Sequence, residues 1–158
     1  MALKLIIKSF KSFFEKLVLK EKSPKILALS FCAGIYIAFC PFVGFHTVMV
    51  FAFSWFFSLN FAVTLASSVF VNNPWTMVPI YSMDYVFGDL FFKLFGINPL
   101  SFNPSWMDAF NSLAFKYTGV SGISFWSFMI GGNLLGIIIS VILYPIARSS
   151  FEKISKRV

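Results

Sequence analysis

Charge is what this chain has least of. Only 12% of its 158 residues are Asp, Glu, Lys or Arg, and none of these lies between Ile26 and Met83. A soluble domain is nearer a quarter charged, so composition points to an integral membrane protein of one domain. Histidine is also scarce: His46 stands alone, which leaves no histidine cluster to hold zinc. Cys32 and Cys40 lie in an apolar arm and read as small hydrophobes rather than a disulfide or redox pair. No glycine-rich phosphate loop, nucleophile elbow or metal-ligand spacing occurs. Asp84 and Asp89 miss the i, i+3 or i, i+4 spacing that sets two carboxylates on one helix face. No catalytic residue, metal or cofactor is therefore expected.

What is present is apolar surface with basic ends. Hydrophobic residues make up 58% of the chain, including 23 Phe. Through Lys25 the chain holds seven Lys and two Glu, a net +5, and from Arg148 onward four basic residues and Glu152 leave +3; the stretch between carries −1. Basic ends around an apolar body follow the positive-inside pattern, which places both termini in the cytoplasm and makes the number of crossings even. A nucleic-acid partner is not expected, because arginine appears only at Arg148 and Arg157 and is not interleaved with aromatics.

The chain divides into residues 1–25, a basic amphipathic interfacial helix; 26–147, a membrane domain; and 148–158, a basic tail. In the first part Leu5, Ile6, Phe10, Phe13, Phe14 and Leu17 recur at helical spacing opposite Lys4, Lys8 and Lys11, a pattern that lies on anionic lipid. Ser23 is placed to cap the next helix and Pro24 to occupy its first turn. Ile26 to Cys40 and Thr47 to Leu59 are each shorter than a crossing needs, so a re-entrant hairpin is expected. Pro41 breaks its first arm, Gly44 permits the turn, and Thr47 is a candidate to satisfy the start of the second arm.

The next segment, Phe61 to Met83, is about one crossing long and is expected to break at Asn72-Asn73-Pro74, with Pro79 as a second helix breaker. Asp84 to Phe95 then reads as interfacial, Gly96 to Ser105 as a loop and Trp106 to Tyr117 as a short surface helix. Ile123 to Ala147 reads as the spanning helix, ended by Pro145 and the basic tail. Its Gly132-x-x-x-Gly136 spacing predicts close packing on another helix of the chain, and Asn133 adds a further amide. The fold expected is all-α and integral to the membrane: a hairpin of broken helices, a broken crossing helix and a C-terminal transmembrane helix. Four shorter crossings are the alternative to two plus a hairpin.

Pro41-Phe42-Val43-Gly44-Phe45-His46-Thr47, then Asn60, then Asn73-Pro74-Trp75-Thr76 with Pro79, Tyr81 and Gly88, resembles the pattern of the bacterial membrane family called domain of unknown function 2062. The resemblance runs from about Ile26 to Ile97 and implies a small multi-pass protein of the bacterial inner membrane.

Three functions are open at this stage. Irregular backbone at membrane depth persists where it lines a cavity, and half-helix ends there bind solutes. A transporter- or channel-like protein would thus bind a polar or anionic solute through Pro41, Gly44, His46, Thr47, Asn72, Asn73, Pro74, Thr76 and Asn133. An accessory subunit would instead pack with a larger partner or another copy of itself while its basic helix reads anionic lipid. A lipid-modifying enzyme using His46 is the third reading. The first predicts that the two breaks meet.

Overall fold

The computed structural model describes the chain from Ser23 to Lys156 apart from residues 43, 100, 101, 103, 120 and 121. The interfacial helix expected before Lys25 thus falls almost wholly outside the described residues, as do Arg157 and Val158 of the tail. Among the described residues the fold is all helical and contains no strand. Six helices follow one another: α1 Pro24–Phe39, α2 His46–Phe56, α3 Phe61–Val71, α4 Met77–Phe95, α5 Trp106–Thr118 and α6 Phe125–Ser155.

Local chemistry explains most of the boundaries. Ser23 Oγ accepts the Ile26 N–H at 3.4 Å and Pro24 opens α1, where its missing N–H would have had no partner. Cys40, the residue before Pro41, is extended at φ −69°, ψ 125°, and ends that helix. Gly44 turns the chain at φ +86°, in the left-handed region open to glycine. Asn60 Oδ1 accepts the Val63 N–H at 3.1 Å and starts α3. Gly96, at φ +63°, closes α4.

Helix α6 is the spine of the packing. α1 and α4 both lie along it, and α3 packs on the far side of α1. Glycines set these approaches. A Cβ on Gly132 would stand 2.5 Å from the Phe39 carbonyl oxygen, and one on Gly136 3.1 Å from Tyr36 Cδ2, so the small-residue spacing seats α1 as expected. Gly131, on the adjoining face, receives α4, and Gly34 of α1 receives α3 through Ser67 and Thr64. Two apolar clusters fill the remaining space. One joins Leu27, Ala28, Cys32, Val63, Ala147 and Phe151; the other joins Tyr81, Met107, Ala114, Ile123 and Phe128.

Four expectations need correction. Thr47 is exposed, and α2 begins without any side-chain cap. Pro79 breaks nothing, since it lies in the first turn of α4, where a backbone donor is not required. Asp84 is not interfacial: α4 runs unbroken through it, and its side chain is buried against α6. Pro145 does not end the last helix, which continues to Ser155. A proline inside a helix costs about 3 kcal/mol. Here the turns beyond it are held by Ala147 and Phe151, which bury against α1 and α3, and by the Arg148–Glu152 pair at 3.0 Å.

Of the described helices, α6 alone is long and apolar enough to cross a membrane. α1, α2 and α3 are apolar but have only 16, 11 and 11 residues, against roughly 20 for a bilayer core.

Candidate functional site

The breaks in the helices set the site. α1 ends at Phe39 and α2 begins at His46, while α3 ends at Val71 and α4 begins at Met77. The two gaps face each other, and Asn72 bridges them. Its Nδ2 lies 2.9 Å from the Ala38 carbonyl oxygen, 2.9 Å from Tyr81 Oη and 3.3 Å from His46 Nε2. His46 Nε2 is in turn 3.0 Å from the Cys40 carbonyl oxygen.

Proton counting resolves these contacts. A carbonyl only accepts, so His46 Nε2 carries a hydrogen and donates it to Cys40 O. The two amide hydrogens of Asn72 go to Ala38 O and Tyr81 Oη, and its approach to His46 is a packing contact. One of the carbonyls freed where α1 stops is thus taken up by a side chain from the other break, and Cys40 O by His46.

Asn73 and Thr76 have a more local task. Asn73 Oδ1 accepts the Trp75 and Thr76 N–H groups at 3.0 and 3.2 Å, and its Nδ2 donates to Phe70 O at 3.0 Å. Thr76 Oγ1 donates to Val71 O. Together they stitch the turn that carries exposed Pro74 and Trp75.

Gly44, His46, Ser68, Asn72, Pro74 and Tyr81 line a pocket of about 240 Å³ between the breaks. Of the candidate residues Pro41 is buried behind it, with Cδ 3.0 Å from where a Cβ on Gly132 would be. Asn133 sits on the other side of Cys40: its Oδ1 accepts from Tyr36 Oη at 2.7 Å and lies 4.0 Å from Cys40 Sγ, while its Nδ2 donates to Met129 O. Of the nine candidates, Thr47 alone takes no part in the pocket, the turn or the packing behind them. A larger groove of about 450 Å³ between α1, α2 and α6 is lined almost entirely by apolar side chains such as Leu29, Phe53 and Ile137, and offers little chemistry.

Sequence reasoning missed Tyr81 and Asp84. Tyr81 is 1% exposed and closes the inner wall of the pocket; Asp84, one turn further along α4, is 0% exposed. A signal for both was available. Tyr81, Asp84, Gly88 and Phe92 recur at helical spacing and form the buried face of α4. An acid that shares a stripe with a glycine and two aromatics is placed for burial.

The chain belongs to the bacterial family described as an uncharacterized protein conserved in bacteria, domain of unknown function 2062; the match spans residues 7–158, well beyond the stretch that carries the motifs. No curated protein and no solved structure matches the chain.

Proposed function

We propose that this family member is a small transporter- or channel-like protein, integral to the bacterial inner membrane, whose pocket at Asn72 binds a polar solute. The observation that carries the reading is that both helix breaks open onto one pocket, mostly apolar but bordered by His46, Ser68, Asn72, Asn73 and Tyr81, and share Asn72. Broken backbone at membrane depth is stable only where protein or a water-lined cavity takes up its polar groups. In this reading α6 crosses the bilayer, the shorter α1, α2 and α3 enter it as broken or re-entrant segments, and both termini face the cytoplasm beside anionic lipid. The outward side chains agree with it. Trp55, Phe70 and Trp75 are 79%, 80% and 91% exposed, a surface suited to lipid and ill suited to water.

The solute class follows from the lining. The N-termini of α2 and α4 and the C-terminus of α3 all border the pocket, so positive and negative dipole ends meet there. No lysine or arginine among the described residues lines it. A neutral or zwitterionic solute fits that balance better than the bare anion admitted by the sequence alone.

The test is uptake of labelled neutral and zwitterionic small solutes into liposomes holding the purified full-length protein. Uptake above protein-free liposomes, lost in Asn72→Ser, is expected. Its absence for every solute class would overturn the reading.

The alternative, an accessory subunit packed with a larger partner or a second copy, draws on one observation. α2 buries only Val50 and Ser54 and turns Phe45, Val48, Phe51 and Trp55 outward around its N-terminus and outer face. It predicts a stable larger assembly in mild detergent and no flux for the chain by itself.

A further inference from the structure

Where α4 meets α6, two backbones touch. A Cβ on Gly131 would lie 1.7 Å from the Asp84 carbonyl oxygen, and one on Gly88 1.8 Å from the Ser127 carbonyl oxygen. This contact seals the side chain of Asp84. It is 0% exposed, and neither carboxyl oxygen has a hydrogen-bond partner among the described residues. Oδ2 faces Gly132, from whose absent Cβ it would stand 3.2 Å, and the Phe39 carbonyl oxygen borders the same glycine. The carboxyl is therefore offered no donor by the described residues around it.

Among the described residues nothing positive compensates. The ion pairs among the described residues are Lys93–Asp89 and Arg148–Glu152, and neither includes Asp84. Among the described residues the titratable groups in electrostatic range are Cys40 at the end of α1 and Tyr81 on α4 itself, neither of which carries a cation. α6 presents Gly131 and Gly132 to it. An ionised carboxylate in such surroundings is far costlier than a neutral carboxylic acid, and lone ionisable groups inside a membrane domain are functional by default.

We infer that Asp84 is a proton-binding site, neutral in the packed state described here. It loses its proton to water admitted from the Tyr81 wall of the pocket, which leaves a hydrated carboxylate, and regains one when α4 and α6 close again. Tyr81 belongs to both places: it lines the solute pocket and lies one turn from Asp84. Solute passage and proton movement are thereby coupled. The coupling rests on the transport reading; the proton site does not.

Infrared difference spectra of the full-length protein in lipid nanodiscs test this, comparing the wild type with Asp84→Asn and with Asp89→Asn as the control. At neutral pH a protonated carboxyl C=O stretch is expected in the wild type and in Asp89→Asn and is expected to be missing in Asp84→Asn. Labelling wild-type aspartate with ¹³C gives the same reading if the variant misfolds, because the chain has only Asp84, Asp89 and Asp108. Ionised bands alone at neutral pH would overturn the inference. So would a carboxylate band that follows sodium concentration at fixed pH, which would assign the site to a cation. A protonated Asp84 in a protein without flux would remove the coupling and the transport reading and leave the proton site standing; flux without the protonated band would remove the proton site alone.

Discussion

The turn between α3 and α4 and the seam between α4 and α6 both hold polar groups inside the fold, and they treat them in opposite ways. At the turn, Asn73 and Thr76 hydrogen-bond to groups that this break released, and Asn72 to a carbonyl that the break after α1 released. At the seam the backbones are so close that no side chain fits between them, and the one carboxyl beside them has no donor among the described residues. The contrast separates two reasons for polarity. The amides of the turn are accounted for by folding, since a break needs partners. Asp84 has no such account, because a leucine-sized apolar group would avoid its desolvation cost. Function is therefore sought at the acid and in the pocket next to it, more than in the amides that hold the pocket together.

The sharpest way to break this comparison is to thicken the seam. Gly131→Ala sets a methyl against the Asp84 backbone, which cannot swing aside. A loss of about 3 kcal/mol is expected from such overpacking, read as early unfolding in detergent. Gly136→Ala is its partner experiment: the nearest atoms there stand at 3.1–3.2 Å instead of under 2 Å, so they need to give by only a few tenths of an ångström. Its loss should stay below about 1 kcal/mol. Equal losses at the two glycines would mean that the seam is not specially close.

A smaller effect is expected at the turn. Asn72→Ala removes the donor to Ala38 O and Tyr81 Oη at a half-buried position, and a loss of about 2 kcal/mol follows. A variant as stable as the wild type would show that the two breaks do not depend on each other. Smallest is Asn73→Ala. Its three bonds all lie within one turn that also carries exposed Pro74 and Trp75, and water can replace them at a cost of about 1 kcal/mol. Measured side by side, the two variants rank tertiary stitching above local stitching; the reverse order would sink that ranking.

Much of the architecture was legible from local rules. Ser23-Pro24, Pro41, Gly44, Asn60 and Asn72-Asn73-Pro74 mark ends and turns through sterics and capping that act over a few residues, and the structure places boundaries at each. The meeting of the breaks could be anticipated as well, because freed backbone groups in one short chain have few polar partners to choose from. The reading failed where a residue's place within its helix, or packing from far along the chain, decided the outcome. Pro79 and Pro145 look alike as breakers, yet one is harmless by its position in the first turn of α4 and the other is overridden by Ala147 and Phe151 packing on α1 and α3. Thr47 has the chemistry of a cap but stands exposed, inside a helix that starts one residue earlier.

By itself the sequence determined the helical class, the scarcity of charge and the places where the helices stop, since each follows from composition or from the conformations open to proline, glycine and asparagine. Tertiary structure decided the fate of Asp84. The first charge after a long apolar stretch is ambiguous alone, because the same residue can open a surface or be carried inside. It is carried inside here because Gly88 and Gly131, far apart in the chain, let two helix backbones touch and shut the carboxyl between them, away from solvent and from every cation among the described residues.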